Sequence, residues 1–142
     1  MPFIESPTCF VAIPEAPEFA AVREAVKRAL DDSHVKPLES GEPSRSITSN
    51  TSSIMERVDF VIADVTNESA DVFYQLGLAD ALRKPTLIMA QKQISLSGDL
   101  GRHKLLVYRP EEVAKLGDYL SFWVSNAISF ERRGSTSVPF SG

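Results

Sequence analysis

The side chains best suited to chemistry in this sequence lie within one short stretch near its middle. Asp71 and Gln75 are four residues apart, so on a helix they share one face and could surround a single ligand. The same spacing also fits two solvated side chains on an exposed helix. Three more polar side chains occur close by: Asp64, Asn67 and Tyr74. These five residues are the first candidates for a functional site.

The elements around these candidates form one predicted βαβ unit. Residues 59–63 are a short apolar run, which is typical of a strand buried on both faces of a sheet. Ser69 is placed to cap a helix over residues 70–83, and Pro85 ends that helix. Residues 86–90 predict a second buried strand. Parallel strands joined in this way place the candidates at the carboxyl edge of the sheet, where open α/β sheets bind ligands.

The rest of the chain repeats this alternation of strand and helix. Further strands are predicted at residues 8–13, 34–38 and 104–108, of which 34–38 is weaker and near an edge. Further helices are predicted at residues 18–31 and from Pro110 onwards. Residues 41–53 predict a polar loop that could turn helical before Ile54. The pattern predicts an α/β fold with a doubly wound parallel sheet of about five strands. Four apolar runs are expected at the centre of that sheet: residues 10–13, 60–63, 87–89 and 105–107.

Length and composition favour a single soluble domain. With 142 residues and 43% hydrophobic content, the chain can bury one full core, which we place at residues 1–131, followed by a flexible tail at 132–142. The single cysteine, Cys9, excludes an intramolecular disulfide and fits a reducing compartment. No run approaches the ~20 apolar residues of a membrane span, and the first residues lack the pattern of a signal peptide. We therefore expect a cytoplasmic protein without a membrane partner.

Charge and motifs argue against several classes of function. The net charge is −4 and no basic stripe is present, so a nucleic-acid partner is not expected. Neither a GxGxxG fingerprint, a Walker loop nor a G-x-S-x-G elbow occurs. His34 and His103 have no Cys or His at ligand spacing, which argues against a metal site. We expect neither a cofactor nor a metal.

The central stretch resembles a known family. ADVT, followed closely by DVFYQLGLADALRKPTLIMAQ, is similar to the nucleoside 2-deoxyribosyltransferase-like superfamily, which lies close to small TIR-like nucleotide-binding domains. TCFVAIPEAPEF and GDLGRHKLLVY resemble the family's first strand and a later loop and strand, so the resemblance covers roughly residues 9–108. It implies a flavodoxin-like (Rossmannoid) sheet. It also implies cleavage or transfer of the N-glycosidic bond of a nucleoside, nucleotide or NAD-like compound, through a glutamate nucleophile.

Gln75 stands at the position of that glutamate. A carboxylate can attack the anomeric carbon or stabilise an oxocarbenium-like centre, whereas a neutral amide can only hydrogen-bond the sugar. Two explanations compete: an inactive, substrate-trapping variant of an N-ribosyl hydrolase or deoxyribosyltransferase, and a non-catalytic nucleotide-binding or signalling module. The rest of the motif, including Tyr74, Leu76 and Gly77, is retained, and this favours the inactive enzyme.

The resemblance gives each remaining candidate near the helix a role, and each has a plainer alternative. Asp64 matches an acid that contacts the base or ribose, although an Asp at a strand end often only caps a loop. Asp71 could contact the sugar or merely favour the helix dipole. Asn67 lacks the family's Asn-Pro context and is more typical of a turn residue. Tyr74 could stack on a base or pack in the core.

Two loops complete the set of candidates. Ala12, Ile13 and Pro14 match the turn after the first strand, where backbone amides could approach a ligand, although proline has no amide hydrogen to donate. Arg45 and Ser46 could reach a phosphate from the polar loop, or could simply be solvated. The expected partner is a nucleoside or nucleotide.

The C-terminal helix predicts self-association. It carries Phe122, Trp123 and Phe130 in addition to an ordinary core stripe, and a large aromatic surface is rarely left exposed on a monomer. The sequence therefore predicts a homo-oligomer.

Overall fold

Five parallel strands and four α-helices form the part of the chain that the computed structural model describes, residues 6–39, 51–96 and 98–136. The strands are β1 (Thr8–Ala12), β2 (Lys36–Leu38), β3 (Phe60–Asp64), β4 (Thr86–Ala90) and β5 (Lys104–Val107). The α-helices are α1 (Ala20–Asp32), α2 (Thr51–Arg57), α3 (Ala70–Ala81) and α4 (Val113–Thr136). Short 3-10 turns occupy Pro17–Phe19, Gly98–Arg102 and Pro110–Glu112.

The strand order defines the fold class. The order is β2-β1-β3-β4-β5, and every neighbouring pair is parallel. This is the flavodoxin-like order of a doubly wound sheet, so the predicted fold class is confirmed. The weak strand expected near residues 34–38 is β2, and it lies at one edge as predicted.

Helices cover both faces of the sheet, which explains why the central strands are apolar throughout. Along β3, Phe60 and Ile62 pack into the core under α1 and α4, while Val61 and Ala63 pack into the core under α2 and α3. Successive side chains of a strand point to opposite faces, so a strand covered on both sides must be apolar at every position. β3 and β4 are buried at all of their residues.

One prediction about the sheet is wrong. Residues 105–107 were expected at its centre, but they belong to β5, which forms the second edge and pairs only with β4. Leu105 and Leu106 still pack against the two opposite cores, whereas Val107 is 41% exposed. An apolar run indicates that both faces of a strand are covered. It does not indicate whether the strand has one neighbouring strand or two.

The C-terminal helix differs from its sequence-based description in two ways. α4 continues to Thr136, so it extends beyond residue 132, where the flexible tail was expected to begin. Trp123 packs edge-to-face on Phe60, with ring centroids 5.6 Å apart, and therefore belongs to the core. Phe122 is 66% exposed, and the side chain of Phe130 lies outside the described part of the chain. None of the described helices is long and apolar enough to cross a membrane.

Replacing Phe60 tests the importance of this core. Phe60 is fully buried, so Phe60→Ala should lower the free energy of unfolding by about 3–5 kcal/mol through lost burial and the cavity left behind. The matched variant Phe122→Ala removes the same ring from an exposed site and should change it by less than about 0.5 kcal/mol. Urea denaturation of both variants measures the difference. Equal losses would contradict the assignment of Phe60 and Trp123 to one core.

Candidate functional site

A cleft of about 380 Å³ opens at the carboxyl edge of the sheet, beside the ends of β1 and β3. The chain leaves β1 towards one edge and β3 towards the other, so this is the switch point at which sheets of this order bind ligands. Its volume lies in the range of small-molecule pockets. Residues 11–16 form one wall, residues of α3 and its preceding loop form the other, and Glu39 after β2 completes the lining.

The start of α3 supplies the wall with the most polar side chains. Ser69 caps this helix as predicted, because its hydroxyl accepts a hydrogen bond from the backbone N–H of Val72 at 3.4 Å. Asp71 follows in the exposed first turn, and Gln75 lies one turn further on and is only 8% exposed. Both side chains line the cleft, as expected of residues four apart on one helix.

Hydrogen bonds from α1 hold the opposite wall, residues 11–16, in place. The guanidinium of Arg23 on α1 donates hydrogen bonds to the carbonyl oxygens of Ile13, at 3.4 Å, and of Pro14. The backbone N–H of Phe19 then donates to the carbonyl of Ala16 at 2.9 Å and closes the turn that leads into α1. These hydrogen bonds tie both ends of the loop to the rest of the fold.

Carboxylates dominate the charge of the cleft. Glu15, Glu39 and Asp71 line it, and within its described lining no Lys, Arg or His is present. Glu39 is also paired with Lys27 on α1 at 2.8 Å. Negative charge around a polar cleft stabilises a positive charge that develops on a bound molecule and disfavours an anion.

Asp64 lies at the same edge of the sheet but outside the lining of the cleft. It is fully buried, and its two carboxylate oxygens accept hydrogen bonds from the Tyr108 hydroxyl at 2.5 Å and the Thr66 backbone N–H at 2.8 Å. The side-chain amide of Gln91 donates to the Tyr108 hydroxyl at 3.2 Å, and its backbone N–H donates to the Thr66 hydroxyl at 3.0 Å. The network therefore joins segments that follow β3, β4 and β5.

Burial controls the protonation of this network. Burial raises the pKa of the Asp64 carboxyl, and the hydrogen bonds from Thr66 and Tyr108 act in the opposite direction. Burial and the neighbouring Asp64 raise the pKa of the Tyr108 hydroxyl as well, so it stays a proton donor at neutral pH. With its oxygens engaged inside the protein, Asp64 fits the loop-capping alternative better than the ligand-contacting one.

The structure brings together most of the other sequence candidates. Ala12, Ile13, Pro14 and Asn67 all line the cleft with Asp71 and Gln75. Tyr74 does not: it is 60% exposed on the outer side of α3, so it packs neither in the core nor against this cleft.

Two candidates cannot be placed, and two lining residues had no signal in the sequence. Arg45 and Ser46 lie outside the described residues. Glu15 and Glu39 were missed, because each is a single acid beside a proline-rich turn or an edge strand, with no periodic partner. Within the described residues, no group of three His, Cys, Asp or Glu side chains is placed to hold a metal ion.

Comparison with known proteins shows the fold. No protein-family model and no curated protein matches the sequence. Among solved structures, a CMP N-glycosidase of Clostridium botulinum superposes with a TM-score of 0.54 at 15% identity, covering 77% of this chain and 97% of the other. A putative lipoprotein fragment of Peptoclostridium difficile gives 0.52 at 15% identity, covering 87% and 99%.

A third likeness points to the same architecture. A response regulator receiver domain protein of Bacillus halodurans gives a TM-score of 0.50 at 15% identity, covering 82% of this chain and 97% of the other. At this level of identity the three likenesses establish a shared α/β fold. The proteins have different names, so the fold alone does not decide among their activities.

Removing the Tyr108 hydroxyl tests the buried network. Tyr108→Phe leaves a carboxylate oxygen of Asp64 without its donor, so the free energy of unfolding at pH 7 should fall by about 1.5–3 kcal/mol. Tyr74→Phe removes the same group from an exposed side chain and should have an effect below about 0.5 kcal/mol. Chemical denaturation of the two variants provides the comparison.

The effect of Tyr108→Phe should also depend on pH. The pKa of Asp64 is raised by folding, so this group contributes stability that is fully present below its unfolded pKa of about 3.9 and is lost as pH rises through the folded-state pKa. The variant loses a hydrogen bond that lowers this pKa, and its loss of stability should therefore grow between pH 4 and pH 7. An equal loss at both pH values would show that the hydroxyl does not act on the Asp64 carboxylate.

Proposed function

We propose that the cleft binds a nucleoside or nucleotide with its N-glycosidic bond beside position 75, and that Gln75 occupies the place of a carboxylate nucleophile. The observation that carries this proposal is the buried Gln75 in the lining of the switch-point cleft. Its position matches the glutamate of the family that the sequence resembles. The shared fold with a CMP N-glycosidase supports the proposal without identifying a substrate.

The chemistry requires two groups on one helix face. A carboxylate at position 75 would attack the anomeric carbon and break the bond to the base, which would leave with the electron pair and take a proton from water. A water molecule would then attack the anomeric carbon of the glycosyl ester, releasing the free sugar, the carboxylate and a proton. Asp71, one turn earlier, would accept hydrogen bonds from sugar hydroxyls. Side chains four apart on a helix have Cβ atoms about 5–6 Å from each other, so one bound sugar could contact both. An amide at position 75 keeps the shape and loses the nucleophile, so the chain as written should bind without cleaving.

The charge of the cleft favours one class of ligand. The three carboxylates in its described lining would repel a phosphate and would stabilise an oxocarbenium-like sugar. An unphosphorylated nucleoside therefore fits this lining better than the matching monophosphate. A panel that pairs each nucleoside with its nucleotide tests this preference directly.

Restoring the carboxylate is the decisive experiment. Gln75→Glu should create N-glycosidase activity, because loss of a nucleophile typically costs about four to six powers of ten in rate. Chromatography of released bases after incubation with nucleosides, nucleotides and NAD measures the gain. Adding Asp71→Asn to the Gln75→Glu protein should reduce the activity again.

A matched substitution separates chemistry from added charge. Gln93→Glu introduces the same charge at an exposed loop position and should leave the protein inactive. The second candidate function is a non-catalytic nucleotide-binding module, which Gln75 itself favours because its amide is neutral. Binding of a nucleotide by both the Gln75 protein and Gln75→Glu, with no base released by either, would favour that module.

A further inference from the structure

A second pocket lies at the opposite edge of the sheet from the cleft, where β4 and β5 begin. Its volume is about 260 Å³, and the residues that line it are Arg83, Lys84, Pro85, Arg102 and His103. Residues 83–85 lead into β4, and residues 102–103 lead into β5, which pairs with β4. The length of β4, about 15 Å, separates this basic pocket from the carboxyl edge of the sheet.

Basic side chains dominate this pocket, although the whole chain has a net charge of −4. Its described lining holds two arginines, one lysine and one histidine, and it includes no carboxylate. Two acidic residues contact these side chains from outside the lining. Asp80 does so through its carboxylate, and Glu56 through its backbone carbonyl. The basic pocket therefore concentrates positive charge on a chain that is acidic overall.

Asp80 fixes the side chains that precede β5. One of its carboxylate oxygens accepts hydrogen bonds from the Arg102 guanidinium and from the His103 ring nitrogen Nε2, both at 2.8 Å. The Asp80 and His103 side chains are only 13% and 12% exposed. The turn before them is also closely packed, because a Cβ atom at Gly101 would lie 2.7 Å from the carbonyl oxygen of Leu96. Contacts within the chain thus position half of the basic side chains.

The end of α3 fixes the backbone of the other two basic residues. The backbone N–H of Lys84 donates to the carbonyl of Ala79 at 3.0 Å, and the N–H of Arg83 donates to the carbonyl of Asp80 at the same distance. These bonds form a Schellman motif, in which the first residue after the helix cap is left-handed. Arg83 accordingly has a φ of 58°, a conformation that strains a residue with a side chain and suits glycine. The Lys84 ammonium donates to the carbonyl of Glu56 at 3.2 Å.

The helix dipole explains only part of this arrangement. Basic side chains are favourable after the carboxyl end of a helix, which accounts for positive charge on Arg83 and Lys84. The dipole does not account for Arg102 and His103, which reach the same pocket from the segment before β5. Two separate segments therefore bring their basic side chains to one small cavity.

We propose that the basic pocket binds a phosphate group, either as free inorganic phosphate or at the end of a small monoester. The Arg83 guanidinium offers two parallel N–H donors to neighbouring phosphate oxygens, and the Lys84 ammonium adds a compact charge. A phosphate monoester carries about 1.5–2 negative charges at pH 7, so it gains more from several cations than a carboxylate does. This site lies at the other edge of the sheet from the cleft, and it does not depend on the proposed function.

An NMR titration of the isotope-labelled protein tests the site. Inorganic phosphate and ribose 5-phosphate, added at low ionic strength and pH 7, should each shift the backbone amides of residues 83, 84, 102 and 103 to saturation, whereas ribose should not. Tighter binding of ribose 5-phosphate would identify a monoester as the ligand, and tighter binding of phosphate would identify the free ion. Absence of saturable shifts at these residues, or shifts confined to the cleft, would overturn the proposal.

Two variants with the same chemical change separate the pocket from overall charge. Arg83→Gln should weaken phosphate binding about tenfold, which is the usual effect of losing a hydrogen bond to a charged group. Arg28→Gln removes the same charge from an exposed position on α1 and should change the affinity by less than about twofold. Equal effects of the two substitutions would overturn the proposal, because phosphate would then respond only to net charge.

Arg83→Gly distinguishes a binding role from a structural one. Glycine adopts the left-handed conformation without strain, so the thermal midpoint of this variant without phosphate should equal or exceed that of the unsubstituted chain. Its affinity for phosphate should nevertheless fall about tenfold, and the stabilisation that added phosphate gives should fall with it. A variant that melts at a lower temperature and binds phosphate as before would overturn the proposal, since Arg83 would then serve the fold alone.

Discussion

The hydrogen bond from Tyr108 to Asp64 is the constraint on which the carboxyl edge of this sheet depends. Tyr108 follows β5 and Asp64 ends β3, so the bond passes across the end of β4, where Gln91 joins the same network. A buried carboxylate that lacked these partners would be costly. The three strand ends on this side are therefore held together. The opening that remains at the edge lies on the other side of β3, next to β1.

The separation of this edge into a hydrogen-bonded network and an open cleft explains which parts of the candidate site could be predicted from the sequence. Asp71 and Gln75 were found because helical spacing is local and fixes their common face. Asp64 was harder to interpret, because its partner Tyr108 is 44 residues away and no local pattern joins them. Glu39 joins the cleft only because β2 lies beside β1, which is a property of strand order. The fold itself was predictable, since apolar runs and helical stripes alternate along almost the whole described chain. The position of β5 at an edge could not be predicted. Its two leucines pack against covered faces of the sheet, just as the apolar residues of a central strand do.

The amide at position 75 is consistent with the electrostatics of its surroundings. Three carboxylates already line the cleft, and a fourth at a site that is 8% exposed would add both desolvation and repulsion. Gln75 avoids both costs while keeping a polar group in the same place. Catalytic sites commonly accept such costs for function. The neutral side chain therefore favours the stability of the folded chain.

The strand order also has a consequence for how the chain acquires its structure. β1 is made first, yet it lies inside the sheet, and the backbone N–H of Thr8 donates to the Asp59 carboxylate 51 residues later at 2.8 Å. Closing so long a loop costs chain entropy before its contacts form, which slows folding. During synthesis the edge of β1 that pairs with β3 therefore stays unpaired until β3 has left the ribosome. An unpaired strand edge that is exposed during folding favours aggregation or capture by chaperones.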